Sequence, residues 1–317
     1  MVALAGTLLA LIVAGTLVIK HPAATPSHAP ITWFDALYTM TSTVCVTGLT
    51  VRDTATGFTP MGQAVLAAFM QLGGLGILAV GAAMWMKMIG RPVRWSRALL
   101  LVVIVTLTIE AIGAAMMYML WPGDISPARR AGLSAFHAIS AYCNAGLTLL
   151  PGGMEPLRYH VIAHAVLLPL VVLGGLGTLT TLDILRSSLP RLRGHERPPR
   201  GMAPMTKLAL ATTAAVYVAG MIAFAGADLA AYARPTVQTA NQPDAPPLDT
   251  ARLGAIAADA SFMSLSARSA GFHTMPMTEV DRGQRWGLMG LMIVGAGPGG
   301  TGGGIRTVTL AVLLLWL

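Results

Sequence analysis

Charge is what this sequence has least of. Only 11% of its 317 residues are Asp, Glu, Lys or Arg, and only 13 are acidic. A soluble domain carries about 25% charged residues, so this chain lacks the polar surface to stay in water alone. Cysteine is nearly absent: Cys45 and Cys143 stand in matching sequence contexts rather than at metal-ligand or disulfide spacing, which excludes a disulfide framework and leaves both as packing or backbone-supplying residues. No nucleophile–base pattern is present, so a membrane-embedded enzyme has no chemistry to run on.

Hydrophobic residues make up 55% of the chain, with a mean hydropathy of +0.67. A helix needs about 20 apolar residues to cross a bilayer, and stretches near 1–19, 61–86, 98–121, 159–185, 205–229 and 284–317 are of that order. They predict a multi-pass membrane protein in contact with lipid. The first stretch lacks the basic flank of a signal peptide and reads as a spanning helix; the missing flank points to a natural N-terminus further upstream. A net charge of +8 invites nucleic acid as a partner, but its placement argues otherwise. Ten of the 21 basic residues fall in two connections: Lys87, Arg91, Arg94 and Arg97 in one, and Arg186, Arg191, Arg193, Arg197, Arg200 and Lys207 in the other. Such short basic loops face the cytoplasm.

The chain repeats itself. "YTMTSTVCVTG" ends at Gly48, "FHAISAYCNAG" at Gly146 and "SFMSLSARSAG" at Gly271. After each comes a second glycine landmark: "LGGLG" at 72–76, "LGGLG" at 173–177, and "GAGPGGTGGG" at 295–304. Internal repeats identify architecture better than single motifs. Each unit reads as a spanning helix, a short helix of about a dozen residues, a Gly-terminated extended segment and a second spanning helix. The units divide the chain at 1–90, 91–200 and 201–317. Non-helical backbone at membrane depth is tolerated only where protein buries it or water bathes it. The three segments should therefore converge on one wet axis, entering from the face opposite the basic loops.

A desolvated cation needs oxygen ligands, and rings of backbone carbonyls supply them. Glycine accepts a positive φ cheaply and lets successive carbonyls turn toward one axis. Val46, Thr47 and Gly48, then Asn144, Ala145 and Gly146, then Ser269, Ala270 and Gly271, suit that role. The absence of Asp and Glu from all three argues against a divalent-selective ring.

These residues carry a family resemblance. "FDALYTMTSTVCVTGLT", "FHAISAYCNAGLTL", "SARSAGFHTMP" and "GAGPGGTGGGIRT" occur in order along nearly the whole chain, which is similar to the Trk/Ktr/HKT potassium transporters. The resemblance implies an all-α fold of tandem M1–P–M2 pseudo-repeats around a pore, with K⁺ bound at the filter glycines Gly48, Gly146 and Gly271. It implies a gate made by the Gly-rich loop: Gly295, Gly297, Pro298, Gly299, Gly300, Thr301, Gly302, Gly303 and Gly304, with Arg306 beside it. It further implies a homodimer in the bacterial inner membrane, regulated by a cytosolic nucleotide-binding ring. The family has four repeats and no fourth unit follows here, so the expectation is a piece cut at its C-terminal side; a three-unit protein completing its pore by oligomerisation is the alternative.

Several residues keep a bland reading beside the functional one. Seven glycines and Pro298 within residues 295–304 cannot hold a regular helix. The stretch lacks both the P-loop ending and the dinucleotide fingerprint, which leaves a broken, movable segment. The "LGGLG" glycines read as close-packing positions. Glu110, inside an apolar stretch, should be paired or hydrogen-bonded, with a direct transport role as the sharper alternative. Asp183 and Asp228 read as interfacial. His160 and His164 share a helix face without a third ligand; His137 and His273 show no ligand spacing. Arg306 either caps loop carbonyls, repels ions in a closed state, or anchors the chain at the cytoplasmic face. The function expected is K⁺ conduction without a bound cofactor. The alternatives are a Na⁺-permeable or Na⁺-coupled relative and a secondary transporter with broken helices. Such a transporter's inverted repeats would alternate in orientation, whereas the basic loops here follow every second spanning helix.

Overall fold

The computed structural model describes residues 2–88, 90, 95–188, 201–232 and 249–316. Among them the regular structure is helical, apart from one bridge between Val294 and Ile305. The first group is α1 (Val2–Ile19), α2 (Trp33–Val44) and α3 (Pro60–Met88). The second is α4 (Trp95–Leu120), α5 (Pro127–Cys143), a π-helical stretch (Ile162–Leu167), α6 (Leu168–Leu176) and α7 (Thr178–Ser188). The third is α8 (Pro204–Tyr232), α9 (Thr250–Ser269), α10 (Arg282–Ile293) and α11 (Thr307–Trp316). Within each group the middle helix packs on the helices that flank it: α2 on α1 and α3, α5 on α4 and α6, α9 on α8 and α10.

Among the described residues, three helices are long and apolar enough to cross a bilayer, over Pro60–Met84, Ala98–Leu120 and Pro204–Ala230. They are apolar around most of their circumference, as helices facing lipid must be. The expected span at 159–185 departs from this pattern, because α6 and α7 meet at an angle of 107°. The break is Gly177, whose φ of +85° a side chain would oppose. Thr181 begins α7 by donating its N–H and its hydroxyl to the Gly177 carbonyl. Likewise the last expected span is divided between α10 and α11.

The middle helices start at recognisable caps. Thr32 accepts from the N–H of Asp35, Ser126 from that of Arg129 ahead of Pro127 at the first turn, and Asp249 from that of Arg252. Their lengths are 12, 17 and 20 residues, so the second and third are longer than the dozen expected. Midway along the third stands Asp259, which Arg158 grips with Nε at 2.9 Å and Nη2 at 2.8 Å while Tyr159 donates to the same carboxylate. Those bonds hold the Arg158 guanidinium charged well above its ordinary range.

Both "LGGLG" runs pack as small residues should. A Cβ on Gly73 would overlap the Val44 carbonyl, and one on Gly174 the Tyr142 carbonyl. In the first two units the helix after the glycine segment thus lies directly on the C-terminal end of the short helix. Arg91, Arg94, Arg191, Arg193, Arg197 and Arg200 of the basic connections lie outside the described residues.

Candidate functional site

The C-terminal ends of α2, α5 and α9 converge. In the first two units the chain leaves the helix through a left-handed residue, Val46 at φ 55° and Asn144 at φ 58°, the only non-glycine residues at positive φ among those described. The next amide then closes back on the helix: Thr47 N–H donates to Ser42 O at 2.8 Å and Ala145 N–H to Ser140 O at 2.8 Å. The third unit omits the intervening residue. Ala270 stays near the helical region and Gly271 N–H itself donates to Ser266 O at 3.1 Å. All three end on a glycine with positive φ, +83° at Gly48, +70° at Gly146 and +74° at Gly271.

These glycines form an arc. A Cβ on Gly48 would stand 2.5 Å from the Ala145 carbonyl oxygen, and one on Gly146 2.5 Å from that of Ala270. A Cβ on Gly271 would meet only the Cα of Gly146, at 3.6 Å. The order is therefore 48, 146, 271, with a neighbouring carbonyl against Gly48 and against Gly146 and an opening between Gly271 and Gly48. A cavity of about 600 Å³ lies on this arc, lined by all three glycines and by Thr54, Thr148, Glu155 and His273 among others. Beside the opening, the exposed face of α2 forms an apolar groove of about 270 Å³ between Phe34, Leu37, Thr47 and Leu49.

Side chains brace the second and third segments from behind. Ser140 Oγ donates to Leu147 O and Ser266 Oγ to Phe272 O, the residue after the glycine in each case. His137 Nδ1 lies 2.7 Å from Leu133 O, a pure acceptor, so the proton is on Nδ1. Its Nε2 then accepts from Thr148 Oγ1 at 3.0 Å and Leu149 N–H at 3.3 Å. The equivalent Ser42 in the first unit has a buried Oγ without a partner.

The Gly-rich loop leaves α10 at Ile293 and folds back so that Gly295 N–H meets Ile305 O and Ile305 N–H meets Ile293 O, both at 2.9 Å. No residue of the loop lines the 600 Å³ cavity. Its lobe is pressed among the other two units. Gly297 N–H donates to Gly175 O and Thr301 N–H to Gly174 O. Gly299 lies on Gly81, and a Cβ on Gly177 would stand 2.5 Å from Gly299. The 107° break in the second unit is thus the seat of the loop, a role not read from its sequence. Arg306 Nη1 donates to the carbonyls of Gly297, Gly300 and Gly302 at 3.2, 3.1 and 2.9 Å. Of its three expected roles, the geometry realises carbonyl capping. A second arginine was not singled out in the sequence: Arg268, 7% exposed, donates from Nη2 to Gly295 O at 3.1 Å. The only sign of it was a basic residue inside the third repeat window.

Most of the remaining candidates have ordinary partners, whereas His273 Nδ1 is buried without one. Glu110, 4% exposed, receives the Cys143 thiol at 3.9 Å. Asp183 accepts from Ala203 N–H and Asp228 from Gln284 Nε2. His164 bonds to Arg158 O, and no metal-ligand cluster occurs among the described residues. Both cysteines are free.

A family model described as "TrkH: Cation transport protein" matches residues 96–316. The Ktr system potassium uptake protein B of Vibrio alginolyticus is 29% identical over 300 residues, which is 89% of this chain and 61% of that protein. The Ktr system potassium uptake protein D of Bacillus subtilis is 29% identical over 323 residues, covering 95% and 67%. The potassium/sodium uptake protein NtpJ of Enterococcus hirae is 26% identical over 302 residues, covering 89% and 61%. The chain thus spans about three fifths to two thirds of the length of these relatives. The crystal structure of the potassium transporter TrkH from Vibrio parahaemolyticus superposes with a TM-score of 0.72 over 98% of this chain and 59% of its own, at 15% identity, a likeness of fold.

Proposed function

The chain belongs to the TrkH family of cation transport proteins, and from that premise we propose that it supplies three of the filter segments of a K⁺-conducting pore. The observation that carries this reading is the arc of Gly48, Gly146 and Gly271, each glycine against the carbonyl oxygen or backbone of its neighbour, at the floor of an open cavity. Carbonyl oxygens stripped of competing side chains are what a desolvated monovalent cation requires. Val46 and Thr47, Asn144 and Ala145, and Ser269 and Ala270 supply the adjoining carbonyls. Units 1–90, 91–200 and 201–317 act as M1–P–M2 repeats. The gap between Gly271 and Gly48, bordered by the apolar groove on α2, is where a further filter segment would close the ring.

The Gly-rich loop is the gate in this reading. It lies on the side of the arc away from the mouth, pinned by Arg306 and seated on Gly177. Non-helical backbone of this kind is tolerated within a membrane only beside protein or water. The cavity end of the arc faces outside, and Lys87, Arg186 and Lys207 mark the cytoplasmic ends of their helices. Relatives that carry the name of the Ktr system support a regulatory partner on that cytoplasmic side. A homodimer with a nucleotide-binding ring in a bacterial inner membrane is the assembly proposed. Because one relative is named for both potassium and sodium uptake, Na⁺ permeation is the second reading.

The test is uptake in a K⁺-transport-deficient bacterium by the full-length protein carrying Gly146→Ser. Growth at low K⁺ should fail and Na⁺ uptake should rise relative to K⁺. Unchanged growth and ion preference, at parental expression, would reject the filter.

A further inference from the structure

Asn144 stands where the second segment, the end of α9 and the Gly-rich loop meet. The orientation of its carboxamide is forced. Nδ2 lies 3.3 Å from each of the carbonyl oxygens of Tyr142 and Val171. Both only accept, so the nitrogen must face them. Oδ1 then receives the Ser269 hydroxyl at 3.0 Å. Nδ2 also lies 2.9 Å from Thr301 Oγ1, the shortest of its three bonds, and Thr301 passes its own proton toward Tyr142 O at 3.4 Å. Asn144 is 2% and Thr301 6% exposed, so water does not replace these bonds if they break.

Asn144 is also the left-handed residue that aims Ala145 and Gly146. Its side chain is fixed by other elements, so the loop has a mechanical grip on the segment it underlies. We propose that Thr301 is a selectivity-positioning residue. With the loop seated, its hydroxyl holds the Asn144 carboxamide and thereby keeps the Ala145 carbonyl against Gly48. With the loop withdrawn, that hold is lost and the second segment relaxes. This rests on the reading of residues 46–48, 144–146 and 269–271 as a filter. It goes beyond a gate that merely plugs the path, because it makes ion preference depend on a residue of the loop. Coupling of this kind is reciprocal: a cation that favours the ordered segment also favours the seated loop.

The experiment compares Rb⁺ and Na⁺ uptake into proteoliposomes by the full-length protein and three variants. Thr301→Val keeps the side-chain shape and removes the hydroxyl; Thr301→Ser keeps the hydroxyl; Gly146→Ser tests the filter itself. Thr301→Val should lower the Rb⁺/Na⁺ uptake ratio about fivefold, the scale of one hydrogen bond, and Thr301→Ser should retain the parental ratio. A Thr301→Val protein that carries both ions faster in unchanged ratio makes Thr301 a plug residue and overturns the inference. If Thr301→Val does not reach the membrane, Thr301→Ala carries the same comparison. A ratio altered by Gly146→Ser but not by the loss of the Thr301 hydroxyl defeats this inference alone, whereas a ratio unmoved by Gly146→Ser defeats the filter reading beneath it.

Discussion

Val46 and Asn144 occupy equivalent positions two residues before a glycine, with φ of 55° and 58°, yet their surroundings are opposite. Asn144 tolerates the left-handed region and its carboxamide bonds to four groups on three other elements of the chain and its own helix end. Val46 is β-branched, a poor residue for that region, and has no polar atom to compensate. Behind Asn144 stand His137, Ser140 and the Gly-rich loop; behind Val46, Ser42 has no partner and the flanking Thr47 and Leu49 are exposed. The same backbone turn is thus held by a polar network in the second unit and by packing of α1 and α3 on α2 in the first. An arc can be rigid at its centre and open at one end, and the open end is where the apolar groove lies.

The largest expected effect tests whether both ends of the comparison belong to one arc. Gly146→Ser puts a side chain at φ +70° and within overlap distance of the Ala270 carbonyl, so K⁺ over Na⁺ preference should fall by about tenfold or more. Gly271→Ala, which meets only a Cα at 3.6 Å, should do less among the described contacts. Equal effects at both would break the spatial order proposed for the arc.

Next is the grip from below. Arg306→Gln removes a charged donor from three loop carbonyls. A hydrogen bond to a charged group contributes about 1.5–3 kcal/mol, so the seated loop should lose about that much and Rb⁺ flux should rise at least about tenfold. Deleting several residues within 297–303, while retaining Ile305 and Arg306, should raise flux at least as far. Parental flux from a deletion protein that inserts correctly would make the loop a packing feature.

Then come paired substitutions across the two units. Ser140→Ala removes a bond of 2.7 Å to Leu147 O and should cost about 1 kcal/mol, read as a lower melting temperature in detergent. Ser42→Ala removes a hydroxyl with no partner and should be neutral or slightly stabilising. Equal losses would show that the first unit is braced after all. The smallest net effect is at Val46: replacement by Asn relieves left-handed strain but gives up a buried apolar side chain, so the two largely offset and the melting temperature should rise only slightly. Asn144→Val should do the reverse and more.

Much of this was legible in the sequence, and the part that was not has a common cause. The three glycine windows, the broken last span and the small-residue packing of "LGGLG" depend on local composition, and each falls where its residues predict. The 107° break at Gly177 was hidden because the same glycine satisfied a packing explanation, and nothing local says that the loop at 297–300 seats there. The grip of Arg158 on Asp259 in α9 joins residues 101 positions apart. The link from Asn144 to Thr301 joins residues 157 positions apart. Arg268 looked like one more basic residue until Gly295 appeared beside its guanidinium. Long-range polar partners leave little trace in a single sequence; glycine at a forced φ leaves a clear one.

The central claim is that Gly48, Gly146 and Gly271 surround a monovalent cation. Its most direct test is the structure of the full-length protein in rubidium, with the ion located by its anomalous scattering. A Rb⁺ peak is expected on the arc, in contact with backbone oxygens of residues 46–48, 144–146 and 269–271. Ordered Rb⁺ elsewhere along the path, with the arc empty at saturating concentration, would contradict it.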